Sequence, residues 1–189
     1  NPKTRFSDSY NPISSINSER KDYWNKSSNK LIDLLKKGEK IVFICLGDIS
    51  IYSTASYLIL YLKDKTPEIE FKIIPGITSF SAASAISGIP LLLKNESLHI
   101  MSTPDSQENF RKIINQKNHS NVVIVFLKLG KRWKWIRKIL EEQDLLENTL
   151  FANKIGFKDQ IVMKASNLEL DEAPYFSLLV IRFNSLNLL

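Results

Sequence analysis

The amino-acid sequence predicts an α/β protein whose first part forms a mainly parallel sheet and whose second part forms a mixed sheet. Two short apolar runs, residues 41–46 and 69–74, each end at a glycine-containing turn and lead into a segment with helical spacing of apolar residues. Strands and helices that alternate with short connections favour parallel strands covered by helices. Beyond residue 97 strand-like runs outnumber helical ones, which favours a mixed sheet there.

Hydrophobic spacing predicts each element in order along the chain. A helix begins near Ser18 and stops at Gly38, because glycine favours a helix end. In the first half we further predict strands at 41–46 and 69–74 and helices at about 55–62 and at 79–87. In the second half we predict strands at 98–101, 122–127, 149–152, 160–164 and 177–183, and helices at about 106–116 and 131–142.

Two domains are predicted, residues 1–91 and residues 92–189. Gly88 ends a helical pattern and Ile89-Pro90 begins an extended stretch, which is typical of a domain boundary. Residues 1–17 contain few apolar positions, so we expect them to be poorly ordered.

Composition indicates a soluble intracellular protein, and we expect a cytoplasmic one. The 189 residues are 43% apolar, and no run approaches the ~20 apolar residues that span a membrane. The single cysteine, Cys45, lies in an apolar run and is expected to pack as a small hydrophobe. His99 and His119 are well separated, so no metal site is predicted. The net charge of +6 suggests an acidic partner.

Two turns at predicted strand ends carry the residue types of a ligand site. Gly47 permits a tight turn close to a bound molecule, and Asp48 can accept hydrogen bonds from hydroxyl or amino groups. Pro75-Gly76 ends the second run, and Thr78 or Ser79 can cap the next helix or offer a hydroxyl to a ligand. Ordinary turn chemistry or helix capping would explain either turn alone. Two such turns at one sheet edge favour a crevice.

The segments LGDISIYST at 46–54 and IIPGITSFSAASAISGIPL at 73–91 resemble the tetrapyrrole methylases, a family of S-adenosylmethionine-dependent enzymes. The resemblance is specific over about residues 38–103 and weaker toward the C-terminus. Within the family, Tyr52-Ser53-Thr54 and the Phe-Ser-Ala-Ala run at 80–83 resemble the branch that methylates C20 of precorrin-2, or of its cobalt-bearing form, in cobalamin biosynthesis. The resemblance implies two α/β domains with S-adenosyl-L-methionine in the cleft between them, a tetrapyrrole substrate and a possible homodimer.

The same resemblance implies which residues hold the cofactor. In the first predicted domain they are Leu46, Gly47, Asp48, Ile51, Tyr52, Thr78 and Ser79. In the second, Leu127 and Lys128 resemble the segment beside the adenine, and Ile155 resembles a further contact there. No side chain is assigned as the proton acceptor. A sulfonium methyl is already activated and a reduced tetrapyrrole carbon is itself a nucleophile, so alignment can supply much of the rate.

The segment from Lys128 to Lys138 is basic and contains two tryptophans. On a helix, Trp135 and the aliphatic residues after it would face inward and the charges outward, which is the usual solvated face. A functional interpretation is attraction of the several carboxylates of a tetrapyrrole substrate. The phosphates of RNA are an alternative, although nucleic acid is not the expected partner.

Two further functions stay open at this point. One is ribose methylation of ribosomal RNA by a member of the same superfamily, suggested by the basic helix. The other is a ligand-binding remnant without catalysis. It is suggested because the strand and Gly-Pro-Gly-Asp-Pro-type loop with which family members usually begin have no counterpart before Lys40. On that ground we expect a fragment or a truncated gene product.

Overall fold

The computed structural model describes residues 18–116 and 121–184. The poor order expected for residues 1–17 and the position of His119 lie outside the described residues. By its contacts the chain divides into two compact units, a first unit that ends at Thr78 and a second unit that begins at Ser79. The predicted domain boundary after residue 91 stays a prediction.

Two helices form the packed part of the first unit. Helix α1 spans Ser18–Lys36 and helix α2 spans Thr54–Lys65, close to their predicted positions. Trp24 of α1 stacks on Tyr57 of α2, with the ring centroids 6.5 Å apart. The buried face of α2 is formed by Ala55, Leu58 and Tyr61, at the spacing of successive helical turns.

The two strands predicted for the first unit are not paired in the structure. Residues 41–46 and 69–74 have no strand hydrogen bonds, and no backbone hydrogen bond within the described part of the chain joins one segment to the other. Their side chains are largely exposed, Val42 by 84% and Ile44 by 88%. A strand requires a neighbour that exchanges backbone hydrogen bonds with it, and an apolar pattern does not supply that neighbour. The predicted parallel sheet is therefore corrected to two segments without regular secondary structure.

The second unit contains a five-stranded mixed sheet, as predicted for this part of the chain. Its strands are β1 Ser97–Ser102, β2 Val122–Leu127, β3 Thr149–Asn153, β4 Ile161–Lys164 and β5 Ser177–Arg182. They lie in the order β1-β2-β5-β3-β4, with β1 and β2 parallel and all other neighbours antiparallel. Strand β5 is buried along its whole length at the centre. Because β2 and β3 are both antiparallel to β5, their carboxyl ends share one edge of the sheet.

Three helices belong to the second unit: α3 Ser79–Ser87, α4 Gln107–Ile114 and α5 Trp133–Glu142. A short 3₁₀ turn, Gly130–Arg132, precedes α5 and delays its start relative to the prediction. The buried face of α5 is formed by Trp133, Ile136, Ile139 and Leu140. Trp135, predicted to face inward, is only half-buried, whereas Trp133 is fully buried and its indole N–H donates to the Leu170 carbonyl oxygen at 2.9 Å.

Two possible features have no counterpart among residues 18–116 and 121–184. None of the helices there is both long and apolar enough to cross a membrane. No group of three or more histidine, cysteine or acidic residues in the same ranges could hold a metal ion. His99 is exposed on β1.

Candidate functional site

The first predicted turn is shaped by Gly47 and by the carboxylate of Asp48. Gly47 has a φ of +75°, a conformation that residues with side chains rarely adopt. The Oδ1 atom of Asp48 accepts hydrogen bonds from the backbone N–H of Ser50, at 2.7 Å, and from the Ser50 hydroxyl. The Oδ2 atom accepts a hydrogen bond from the N–H of Gly76 at 3.2 Å. The carboxylate therefore ties the first turn to the second.

The second predicted turn approaches the first so closely that a side chain is excluded at Gly76. A Cβ atom built on Gly76 would lie 2.2 Å from the carbonyl oxygen of Gly47 and 3.0 Å from its carbonyl carbon. Both neighbours are backbone atoms, which cannot move aside as the end of a flexible side chain can. Glycine is therefore required here by close approach of two backbones, a reason that the sequence pattern did not reveal.

Hydrogen bonding lowers the pKa of the Asp48 carboxyl below its ordinary value. The hydroxyl of Ser50 contributes most and the N–H of Ser50 next; partial burial acts in the opposite direction, and the N–H of Gly76 adds a smaller lowering. The group is therefore ionised at neutral pH and can act as an acceptor but not as an acid. Each of its oxygens already has a partner in the protein, so a ligand would use its remaining lone pairs.

The residues after the first turn lead directly into α2. The Ser53 hydroxyl oxygen accepts a hydrogen bond from the N–H of Ala55 at 3.1 Å and so caps the helix. The Ser56 hydroxyl donates to the Ile49 carbonyl oxygen at 3.0 Å and fixes the connection. Tyr52 has a φ of +51° and about half of its surface is exposed. The Tyr-Ser-Thr run therefore builds this turn as well as presenting side chains from it.

The remaining residues implied by the resemblance occupy different settings around these turns. Leu46 is exposed and Ile51 is half-buried. Thr78, half-buried, is the last residue of the first unit. Ser79 is exposed and is the first residue of α3 in the second unit.

The residues predicted to lie beside the adenine meet at one edge of the sheet in the second unit. Leu127 ends β2, and the N–H of Lys128 donates to the Ser177 carbonyl oxygen at 3.0 Å. On the other side of β5, the N–H of Lys154 donates to the Phe176 carbonyl oxygen at 2.9 Å. The start of β5 therefore holds both turns in place. Sequence spacing could not reveal this juxtaposition, because the segment that produces it lies far along the chain.

The turn that carries Ile155 is rigid. Lys154 has a φ of +49°, and its ammonium group pairs with the carboxylate of Asp159 at 2.5 Å. The N–H of Gly156 donates to the side-chain oxygen of Gln160 at 3.0 Å. Ile155 is half-buried between these anchored neighbours. Its backbone is therefore held in a fixed position at the sheet edge.

Arg132 is a positioning residue that the sequence analysis missed. Its guanidinium donates to the carbonyl oxygens of Lys128 at 2.5 Å, Leu129 at 3.1 Å and Thr103 at 3.0 Å, and pairs with the carboxylate of Asp105 at 2.5 Å. The amphipathic pattern predicts Arg132 among the solvated charges of the basic helix. The structure corrects this: the planar group joins the turns after β1 and β2. No local sequence signal distinguishes it from the exposed cations nearby.

Asn153 is a second residue that the sequence analysis did not select. It ends β3 opposite Ser177 and is 4% exposed. Its side-chain oxygen is buried and has no hydrogen-bond partner in residues 18–116 and 121–184. An unpaired buried polar atom costs about 1–3 kcal/mol, so such atoms in native proteins require an explanation.

Comparison with known proteins identifies the family of this chain. The family model described as Tetrapyrrole (Corrin/Porphyrin) Methylases matches residues 2–171. The chain belongs to the tetrapyrrole methylase family. The resemblance found in the sequence is therefore confirmed.

Individual relatives agree with the family match. The chain is 27% identical over 172 residues to cobalt-precorrin-2 C(20)-methyltransferase of Salmonella typhimurium strain LT2, covering 90% of this chain and 70% of the relative. It is 25% identical over 161 residues to precorrin-2 C(20)-methyltransferase of Sinorhizobium sp., covering 85% of this chain but 62% of that one. The crystal structure of a cobalt precorrin-4 methyltransferase matches with a TM-score of 0.66 and 16% identity, covering 84% of this chain and 70% of that one.

These matches confirm some of the predictions and leave others untested. The α/β fold with a mixed sheet is confirmed. With the family, the predicted enzyme class, a methyltransferase that uses S-adenosylmethionine, is confirmed as well. The contacts assigned to individual residues stay predictions. This chain spans less than two thirds of the Sinorhizobium relative, so the activity of a whole enzyme is treated below as a proposal.

Proposed function

We propose that this chain performs S-adenosylmethionine-dependent methyl transfer to C20 of precorrin-2 or cobalt-precorrin-2 in cobalamin biosynthesis. The names of the Salmonella and Sinorhizobium relatives support this substrate. The structural observation that carries the proposal is the joined pair of turns, in which Asp48 bonds Gly76 and no side chain fits between them. This proposal places the cofactor against the backbone of these two turns, where glycine allows a ligand to approach closely.

The chain contains residues that fit the cofactor. In the first unit, backbone groups at Leu46 to Asp48 and side chains at Ile51, Tyr52 and Thr78 would hold its methionine and ribose. In the second unit, Ser79, Leu127, Lys128 and Ile155 would contact it, the last three at the adenine.

Methyl transfer requires mainly that the methyl donor and the nucleophilic carbon be aligned. S-adenosylmethionine, when bound, supplies a methyl group on a sulfonium that a nucleophilic carbon can attack directly. The part assigned to this protein is to hold the reacting partners in line, which rigid turns do better than mobile ones. The bonds from Asp48 to Gly76, from Arg132 to Lys128 and from Lys154 to Asp159 supply that rigidity.

A transfer assay tests the proposal. The purified chain is incubated with methyl-labelled S-adenosylmethionine and freshly prepared precorrin-2, with ribosomal RNA as an alternative acceptor. We expect label in the tetrapyrrole, and nuclear magnetic resonance of the product should locate the new methyl on C20. Absence of transfer to either form of precorrin-2, or transfer to RNA instead, would contradict the proposal.

A second candidate function is ligand binding without turnover. It is favoured by the exposed, unpaired segments 41–46 and 69–74, which precede both turns of the proposed cofactor site. Calorimetry with S-adenosylhomocysteine separates the two functions. Tight binding of the cofactor product together with an inactive transfer assay would select this second candidate.

Location and assembly are part of the same proposal. We propose a cytoplasmic location, as expected from the sequence composition. A homodimer is proposed from the family resemblance, and sedimentation at micromolar concentration would detect it. A monomeric chain in that experiment would contradict the dimer and leave the methyl-transfer proposal to its own assay.

A further inference from the structure

A groove on the second unit, distinct from the sheet edge that carries Lys128 and Ile155, is lined mainly by positive charge. It lies between α4 and α5 and has a volume of about 400 Å³, within the range of small-molecule pockets. Its lining residues are Gln107, Arg111, Lys131, Lys134, Trp135, Lys138 and Glu142. Four of these are cations and one is a carboxylate. A cleft lined by charge of one sign concentrates its field on a bound counter-charge.

The single acid of this α4–α5 groove is already engaged. The guanidinium of Arg111 bonds the Glu142 carboxylate at 2.6 Å. The pKa of Glu142 is lowered first by that hydrogen bond and less by the charges of Arg111 and Lys138. Lys131 and Lys134 form no ion pair with any residue in 18–116 or 121–184. The groove therefore holds uncompensated positive charge.

The spacing of the lysines on α5 matches a ligand that carries several negative charges in a row. Lys134 and Lys138 are both exposed and lie four residues apart on one face of the helix. One such step rises about 6 Å along the axis. A linear polyphosphate presents its charges over a comparable length, and lysine ammonium groups are common phosphate ligands. A single carboxylate would neutralise only one of these positions.

Trp135 gives the α4–α5 groove an aromatic wall. The indole is half-buried, and Phe110 packs against it at 5.5 Å in an edge-to-face arrangement with planes at 79°. Phe110 is itself fully buried against Phe126 of β2, with the ring centroids 4.7 Å apart. The ring is therefore anchored, while part of its surface remains in the groove. Bases of nucleotides stack on aromatic side chains held in this way.

We infer that the α4–α5 groove binds a nucleotide, with its phosphate chain on Lys131, Lys134 and Lys138 and its base against Trp135. The site is separate from the proposed methyl transfer and does not depend on it. RNA shares the same chemistry, but Trp135 is the one aromatic residue among the described residues that line the groove, which suits a single base, and RNA binding is one outcome of the test below. The solvated-face interpretation of the basic helix does not require a concave site or an aromatic wall.

Calorimetric titrations of the full chain test this inference at low salt without divalent cations. The probes are ATP, inorganic tripolyphosphate and a single-stranded RNA oligonucleotide. We expect ATP to bind, tripolyphosphate to bind at least about fivefold more weakly because it lacks a base, and added salt to weaken both. No ATP binding, or tripolyphosphate as tight as ATP, overturns the assignment. Tight RNA binding with no ATP binding also overturns it.

Matched variants assign the binding to the groove. Lys134→Gln with Lys138→Gln should weaken ATP by about tenfold or more, since each removes a charge-assisted contact. Lys112→Gln is the control, because Lys112 lies on α4, pairs with Glu108 at 2.7 Å and does not line the groove. Equal ATP affinity in the double variant and in Lys112→Gln would overturn the inference.

Removal of the Glu142 carboxylate should raise the affinity for ATP, whereas removal of the lysines should lower it. Glu142→Gln deletes the one carboxylate of the groove, so ATP should bind more tightly, by about two- to fivefold. A general loss of structure cannot raise affinity, so a tighter complex reports on charge in the groove. Thermal unfolding of each variant confirms that it is folded. Unchanged or weaker ATP binding by folded Glu142→Gln would count against the inference.

Discussion

Similar apolar sequences have different structures in the two units of this chain. Both contain runs of consecutive apolar residues, such as IVFICL at 41–46 and VVIVFL at 122–127. In the second unit the run becomes β2 and four of its six residues are buried. In the first unit the run has no regular secondary structure and is mainly exposed. The difference is the presence of paired neighbours on both sides, which β2 has in β1 and β5.

A segment becomes a β-strand only when it pairs with a neighbouring segment. Apolar residues favour burial, but a segment is buried only when other elements cover it, and its backbone groups are satisfied only by a partner backbone. The turns that follow the unpaired segments are nevertheless well formed. The carboxylate of Asp48 and the close approach of Gly47 and Gly76 hold them together without a sheet.

The largest expected effect concerns a buried clamp in the second unit. Arg182 on β5 pairs with Glu96 and donates to the carbonyl oxygens of Pro90 and Leu91 at 2.7 and 2.9 Å. Arg182→Gln should lower the free energy of unfolding by about 3–5 kcal/mol, because it leaves the poorly exposed Glu96 carboxylate without its cationic partner. Urea unfolding measures this. The control Lys164→Gln breaks an exposed pair with Glu147 and should cost less than about 1 kcal/mol.

A matched pair of isoleucines compares the two apolar runs directly. Ile124 on β2 is 0% exposed and Ile44 is 88% exposed. Ile124→Ala should cost about 2–5 kcal/mol of unfolding free energy, whereas Ile44→Ala should change it by no more than about 0.5 kcal/mol. Thermal and urea unfolding provide both values. An equal loss at the two positions would mean that the first run is covered in solution.

The turns of the first unit are tested by adding one methyl group. In Gly76→Ala the new Cβ meets the Gly47 carbonyl oxygen at 2.2 Å, so the two turns must separate. We expect a loss of about 1–3 kcal/mol in unfolding free energy and weaker binding of S-adenosylhomocysteine. The neighbouring variant Ile77→Ala, at an exposed side chain, should change neither. Normal binding of S-adenosylhomocysteine by Gly76→Ala would show that the two turns do not hold the cofactor.

The smallest effect is the pH dependence of the Asp48 clamp. Hydrogen bonds, first from the Ser50 hydroxyl, lower the pKa of this carboxyl in the folded protein below its ordinary value of 3.8. The stabilisation is therefore present above the ordinary pKa and is lost as the pH falls through the lowered one. The amide resonance of Gly76 should shift in that acidic range. Asp48→Asn should abolish the shift; a shift that persists would assign it to another group.

Several parts of the fold were predictable from local pattern. The amphipathic pattern of α5 and the buried run of β2 each follow from a few neighbouring residues. Local signals suffice in these cases because the atoms that interact are close in sequence.

Other parts of the site could not be predicted. The role of Arg132 depends on carbonyl oxygens from two separate strand ends, and the unpaired oxygen of Asn153 depends on what surrounds it in the fold. Trp133 and Trp135 are two residues apart in the same basic segment, yet the fold buries the first fully and leaves the second lining a groove. Their rotation about the helix axis is set by packing against the sheet.

The sequence by itself determined the family, most elements of the second unit and the glycine and aspartate of the two turns, because these depend on short-range patterns of residue type. Tertiary structure alone decided which apolar runs become strands, since pairing needs a partner from elsewhere in the chain. It also decided that β5 enters the sheet between β2 and β3 and so brings Lys128 and Lys154 to one edge. Such contacts join residues distant in sequence, and no local pattern encodes them.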